Sequence, residues 1–265
     1  MVTYARPRLL TPDDKRYRAY VDGFKLQRAN NKPMRPPRQR DLFGGEAEAA
    51  LRQWLGERIE LDDRRILEYE ERRNRRGMIK YRELDALTIA DRAAWVFELK
   101  ASRTASALRR AVGQLSETRA ILKGLYHTIH VTILLVDTGI PADAAAVDAL
   151  MAGERPPTRR PELLEEVLAA VPALRLIGSL DERSMDGATV DVLRFRVDDI
   201  IAIAGAANLS LDWDADDELL DEDQPPASPS SQVASSADDD DDDDNPFAAA
   251  FKKAGLSGGC LAGTP

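Results

Sequence analysis

The sequence predicts an α/β fold followed by an acidic, disordered tail. Segments with helical spacing of apolar residues alternate with segments that read as strands, and turn residues separate them. From Asp212 onward the composition becomes acidic and rich in Ser and Pro, too polar to bury a core. No internal repeat is present.

The elements follow in order. Thr11-Pro12-Asp13-Asp14 reads as a helix start, with Thr11 as N-cap and Pro12 at the first helical position. Tyr17, Tyr20, Val21 and Phe24 then recur at helical spacing. Residues 28–40, with Pro33, Pro36 and Pro37, read as a basic, extended linker. A helix is expected over 45–57, where Leu51, Trp54, Leu55 and Arg58 share a face and Glu48 lies on it, three and seven residues before Leu51 and Leu55. Strands are expected over 66–72, 81–89 and 95–100, with Ala90-Asp91-Arg92 as a tight turn between the last two. A second helix over 104–124 carries Ala107, Leu108, Ala111, Val112, Leu115, Thr118 and Leu122 as its buried stripe, and a fourth strand covers 128–137. Helices at 142–151 and 161–170, strands at 174–180 and 189–197, and a last helix at 198–207 capped by Asp198 extend the same sheet. The domains expected are a basic arm (1–40), an α/β domain (41–210) and the acidic tail (211–265).

Bulk composition narrows the function. No apolar run reaches the roughly 18 residues of a membrane span. The first residues lack an apolar signal core, so a cytoplasmic protein is expected. Cys260 is the only cysteine and His127 and His130 the only histidines, which excludes internal disulfides, thiolate-rich zinc sites and a nucleophilic triad. Charge is unevenly placed. Residues 212–265 hold fifteen Asp and Glu against two Lys, so the chain total of −9 leaves residues 1–211 at +4. The first forty residues carry eleven Lys and Arg against three Asp. Such asymmetry points to nucleic-acid contact at one end.

The chemistry concentrates at Arg82-Glu83-Leu84-Asp85-Ala86-Leu87 and at Glu98-Leu99-Lys100, which begins thirteen residues after Asp85. Alternation along a strand sets Glu98 and Lys100 on one face and Phe97 and Leu99 on the other. A hairpin turn brings Asp85 beside them, and Glu83, on the same side as Asp85, becomes a supporting group. Two carboxylates and an ammonium at the rim of an apolar sheet are costly unless they hold something, and oxygen ligands suit a hard cation such as Mg²⁺. The bland alternative is a cross-strand salt-bridge ladder worth about 0.2–1 kcal/mol. Against it stand Ile89, Ala94, Trp95, Val96 and Phe97, whose apolar character implies a well-buried central hairpin.

With helix and strand in this order around E-L-D and E-L-K, residues 42–137 resemble the PD-(D/E)XK nuclease superfamily, in its nuclease-related and Holliday-junction-resolvase-like branches. The family's Pro before the first acid is absent, since Leu84 precedes Asp85. The resemblance implies a restriction-endonuclease-like core, αβββαβ, in which a mixed sheet is flanked by helices. It also implies a metal-dependent nuclease that hydrolyses phosphodiester bonds, with DNA the first choice of substrate. Asp85, Glu98 and the carbonyl of Leu99 would hold Mg²⁺ or Mn²⁺, and Lys100 would orient or help deprotonate the attacking water. It further suggests a catalytic glutamate on the first helix, Glu48 before Glu46, and a glutamine, Gln114, near the metal-bound phosphate or a base. Solvated helix-start acids and a surface glutamine are the bland alternatives.

Arg72, Arg73, Arg75 and Arg76 cluster at the tip between the first two strands and suit phosphates across a groove, with a solubilising turn as the alternative. Arg109 and Arg110 are further phosphate candidates on the second helix. In the tail, Asp238 to Asp244 precede Asn245-Pro246-Phe247 and Phe251. This segment suits a protein partner docked through Phe247 and Phe251, a shield over the basic arm, or a solubilising tail. The rival to the nuclease is a non-catalytic DNA-binding adaptor that recruits a partner through this tail.

Overall fold

The run Thr128–Asp137 is buried at every position but the first, so the strand it forms must be covered on both faces. The computed structural model describes residues 2–30, 39–73, 76–153 and 156–212. β1 (Thr3–Leu10) precedes α1 (Lys15–Asn30) and α2 (Gln39–Gly56). β2 (Ile66–Arg73), β3 (Arg76–Glu83), β4 (Ala86–Ala90) and β5 (Ala93–Ser102) follow, then α3 (Ala107–Leu122) and β6 (Thr128–Asp137). α4 (Ala144–Ala152), α5 (Leu164–Ala170), β7 (Leu174–Ile177), β8 (Val190–Arg196) and α6 (Val197–Ala204) complete the order. α1 belongs to a separate unit, residues 11–36, and is described by itself.

Two sheets result. β1, β2 and β3 form an antiparallel sheet in that order. The second sheet has the order β4-β5-β6-β8-β7, antiparallel between β4 and β5 and parallel elsewhere. The fold is therefore α/β with a mixed sheet flanked by helices. On one face α3 packs Leu108, Ala111, Leu115 and Leu122 against Val96, Val131, Ile133 and Leu135, and Leu67 and Tyr69 of β2 join this core. On the other, α2 sets Phe43, Ala47, Leu51 and Leu55, four residues apart, against Phe97, Leu99, Leu134 and Phe195, together with Ile200 of α6.

Several sequence expectations need correction. The expected strand over 81–89 is two strands in different sheets, broken at Leu84-Asp85, because β3 follows β2 while β4 turns to β5. The β4–β5 hairpin is not central: β4 is an edge strand and only β5 is internal. Its turn is Asp91-Arg92, with Asp91 at φ 53°, the left-handed region that Asp tolerates. Residues 3–10 of the expected basic arm form a strand, with Tyr4 and Leu9 packed on the α3 core. Their alternation is interrupted by a bulge between Ala5 and Arg8, with Arg6 at φ 50°, which hides the strand pattern. Pro7 lies so close to Gly124, after α3, that a Cβ on Gly124 would come 2.6 Å from the Pro7 ring.

Helix ends shift too. Thr11 is not the N-cap of α1. Residues 11–14 make a turn closed by Asp14 N–H donating to the Thr11 carbonyl at 2.9 Å, and the Asp14 carboxylate accepts from Arg16 N–H at 2.8 Å. α1 runs through Asn30, past the start of the expected linker, whose residues 31–38 lie outside the described residues. At α6 the N-cap is Arg196 rather than Asp198, and Asp199 reaches back to accept its N–H at 2.7 Å. The tail from 213 onward, including Asp238 to Asp244, Asn245, Phe247, Phe251 and Cys260, lies outside the described residues. Among the described residues no helix is long and apolar enough to cross a membrane.

Leu134 is fully buried at the centre of β6. Leu134→Ala should lower unfolding free energy by about 2–5 kcal/mol in urea titration, since the sandwiched site cannot collapse around the cavity. A loss under about 1 kcal/mol would contradict the two-faced burial.

Candidate active site at the end of β4

The pairing of β4 with β5 stops at Ala86 opposite Phe97, while β5 continues to Ser102 beside β6. Among the described residues, the edge of β5 beyond Phe97 therefore lacks a strand partner on the β4 side. Asp85 fills the first gap, its Oδ2 accepting the Leu99 N–H at 2.8 Å. A strand residue points its N–H and C=O to the same side, so the Leu99 carbonyl also faces this open edge. Phe97 and Leu99 are buried against α2, and Glu98 and Lys100 project, half-buried, from the opposite face.

The backbone at Asp85 is pinned on either side. Leu84 N–H donates to the Arg65 carbonyl at 2.8 Å, and Asp62 N–H donates to the Leu87 carbonyl at 2.7 Å. Between them the Asp85 carbonyl accepts from Arg52 Nη1. Arg52 and Glu48 lie one turn apart on α2, beside the buried Leu51.

Electrostatics tie these groups together. Burial, then the charge of Asp85, push the Glu98 carboxyl up to about 7, against Lys100 and Arg82, with Glu48 adding to the rise. Burial and the Glu83 charge also push Asp85 upward, opposed by the Leu99 amide, Arg65 and Lys100. Glu48 touches solvent, yet the protein around it and the Asp85 charge raise its carboxyl, with Lys100 pulling the other way. Glu48, Asp85 and Glu98 are thus near enough to one another or to Lys100 for these charges to act on the acids' protonation. Among the described residues no three His, Cys, Asp or Glu side chains converge tightly enough to hold a metal by themselves.

Other expected residues lie elsewhere. Glu46 binds Ser210, its carboxylate accepting the backbone N–H at 2.6 Å and the hydroxyl at 2.9 Å. Glu83, the last residue of β3, is ion-paired with Arg65. The Gln114 side chain is exposed, and its backbone carbonyl accepts from Arg82 Nη1 at 2.8 Å. Arg109 pairs with Glu162 at 2.5 Å, and Arg110 is exposed. Arg72 pairs with Glu70 at 2.9 Å and Arg73 with Glu71 at 2.6 Å, while Arg76 is exposed. Arg75 lies outside the described residues.

Sequence reasoning gave no role to Arg52, Arg65 or Arg82, although Arg82 opens the stretch that holds Asp85. Arg82 leans onto α3, meeting Thr118 Oγ1 at 2.8 Å and pairing with Glu117, and its charge reaches Glu98. The position of Arg52, four residues after Glu48, and that of Arg82, three before Asp85, are the signals that could have found them; nothing local marks Arg65. His130, with its ring 5.0 Å from Trp95, is a buried stacking partner. A scan against protein-family models found no match, and searches of curated proteins and of solved structures found none either.

Glu98 has a pH consequence. Its folded pKa, about 7, lies above the ordinary value of 4.5, so between them the native state binds more protons than the unfolded chain. This group therefore favours folding below the unfolded value and opposes it progressively as pH rises through about 7. Relative to wild type, Glu98→Gln should be more stable at pH 8 than at pH 5 by about 1–3 kcal/mol, read by urea denaturation. A difference independent of pH would refute the raised carboxyl.

Proposed function

We propose that the protein is a metal-dependent nuclease built on a restriction-endonuclease-like core, acting on phosphodiester bonds, with DNA the first substrate to try. The observation that carries this reading is the Asp85–Leu99 contact at the open edge of β5, beside a Glu98 carboxyl pushed up to about 7. Acids with raised pKa values gathered in one place, one of them strongly shifted, are a recurring mark of a working site. The order α2, β2, β3–β4, β5, α3, β6 supports the same reading.

The donor set fits a small hard cation. It offers Oδ1 of Asp85, the Glu98 carboxylate and the Leu99 carbonyl, all oxygen, which are the groups that would hold Mg²⁺ or Mn²⁺. Bound there, such an ion would supply charge stabilisation to the phosphate and lower the pKa of a water. The chain's own residues have separate tasks. The Leu99 amide fixes the Asp85 carboxylate. Lys100, on the Glu98 face, orients the attacking water and offsets the acids' charge. Glu48 stands by as a third acid or base. On the three-stranded sheet, the exposed guanidinium groups of Arg72, Arg73 and Arg76 would meet backbone phosphates, Arg72 and Arg73 from their pairs with Glu70 and Glu71.

Wild-type protein should cleave plasmid, linear, single-stranded or branched DNA only with Mg²⁺ or Mn²⁺. Glu98→Gln and Lys100→Ala should each reduce cleavage at least about a hundredfold with unchanged circular dichroism. Full activity in either variant defeats the assignment. DNA binding with no cleavage of any substrate transfers weight to a non-catalytic adaptor.

Replacing Arg72, Arg73 and Arg76 with Gln together should lower the slope of log affinity against log salt by about 1–3, whatever the DNA sequence. An unchanged slope would remove these arginines from the DNA surface.

A further inference from the structure

The geometry points to Arg52 as a positioning residue: by holding the carbonyl of Asp85, its guanidinium keeps the Asp85 carboxylate on the Leu99 amide. Nothing local in the sequence makes Asp85 leave β3 and turn back toward β5. Leu84 and Leu87 are tied by backbone bonds to Arg65 and Asp62, so the corner at Asp85 and Ala86 is left between two fixed points. Arg52 is the side chain that holds this corner, through Nη1 to the Asp85 carbonyl. Its own origin is rigid, because Phe43, Ala47, Leu51 and Leu55 lock α2 to the sheet.

The charge pattern fits this role better than that of an ion-pair partner. Arg52 is half-buried, and among the described residues no carboxylate lies within ion-pair distance of it. Asp63, Glu83 and Asp85 act on it only at longer range, and the Arg65 charge opposes it. A half-buried cation without a direct counter-ion is costly. A planar guanidinium on a long stem can reach a carbonyl at a chain corner and hold a fixed direction, which an ammonium does less well. Losing the hydrogen bond frees the carbonyl, and the Asp85 carboxylate then has only the Leu99 amide to hold it.

The effect on metal affinity rests on the function proposed above; the effect on Asp85 does not. Hydrogen exchange of the Leu99 amide, followed by nuclear magnetic resonance in the full-length chain, tests the latter. Arg52→Ala should speed Leu99 exchange at least about tenfold while the amides of Ile133 and Leu135 in β6 keep their protection, since the opening is local. Arg52→Lys should restore part of the protection, and Arg52→Gln gives a second reading should Arg52→Ala fold poorly. Calorimetric titration with Mn²⁺ should show affinity weakened about 10–100-fold in Arg52→Ala, the usual range for losing support of a ligand. Unchanged Leu99 exchange overturns the inference. So does faster exchange spread evenly over β5 and β6, which would make Arg52 a general stabiliser. Selective loss of Leu99 protection in a protein that binds no Mn²⁺ upholds the positioning role while removing the metal-dependent function.

Discussion

A strand edge cannot be left with unbonded amides in a half-buried setting, and the candidate site is organised around that constraint. β4 stops pairing at Ala86, and the next outward-facing N–H on β5, that of Leu99, takes the Asp85 carboxylate instead of a backbone carbonyl. Leaving a buried donor unmet costs about 1–3 kcal/mol, so this contact is part of the fold as well as of the chemistry. Once it is made, the Leu99 carbonyl faces the same gap, and alternation sends Glu98 and Lys100 to the side opposite Phe97.

The same corner concentrates charge. Glu48, Asp85 and Glu98 all have carboxyls raised chiefly by burial, and each is raised further by another acid. Lys100, Arg65 and Arg82 offset this in part, from three different elements. The folded chain therefore holds acids that oppose its own stability near neutral pH. A cation among them would relieve that opposition, which links the unfavourable electrostatics to the function proposed.

The three-stranded sheet has another character. Its arginines stand beside glutamates on the same strand, Arg72 with Glu70 and Arg73 with Glu71, while Arg8 reaches across to the buried Glu68 at 2.8 Å. Gly77, opposite Arg72, leaves room for the Glu70 side chain, which a Cβ there would strike. In each pair the arginine is exposed while its glutamate is largely covered, so these contacts compensate sheltered carboxylates beneath a charged surface.

The local pattern determined much of this protein by itself. β6 matches the expected strand over 128–137 at both ends, because a long apolar run between clear turns has one reading. α3 and its buried stripe, the split of β5 into a Phe97–Leu99 face and a Glu98–Lys100 face, and the α/β class follow from periodicity in the same way. Tertiary structure decided the rest. Whether 81–89 is one strand or two depends on which neighbour each half finds, and local spacing does not encode a partner. β1 was concealed by its bulge, and only β2 and the α3 core reveal what it pairs with. Arg52, Arg65 and Arg82 gather at the acids from a helix, a loop and a strand that lie far apart in the chain, so their meeting is a product of folding. Glu46 and Glu48 look equivalent on paper. The helix's rotation, set by Phe43, Ala47, Leu51 and Leu55 against the sheet, turns one toward Ser210 and the other toward Asp85.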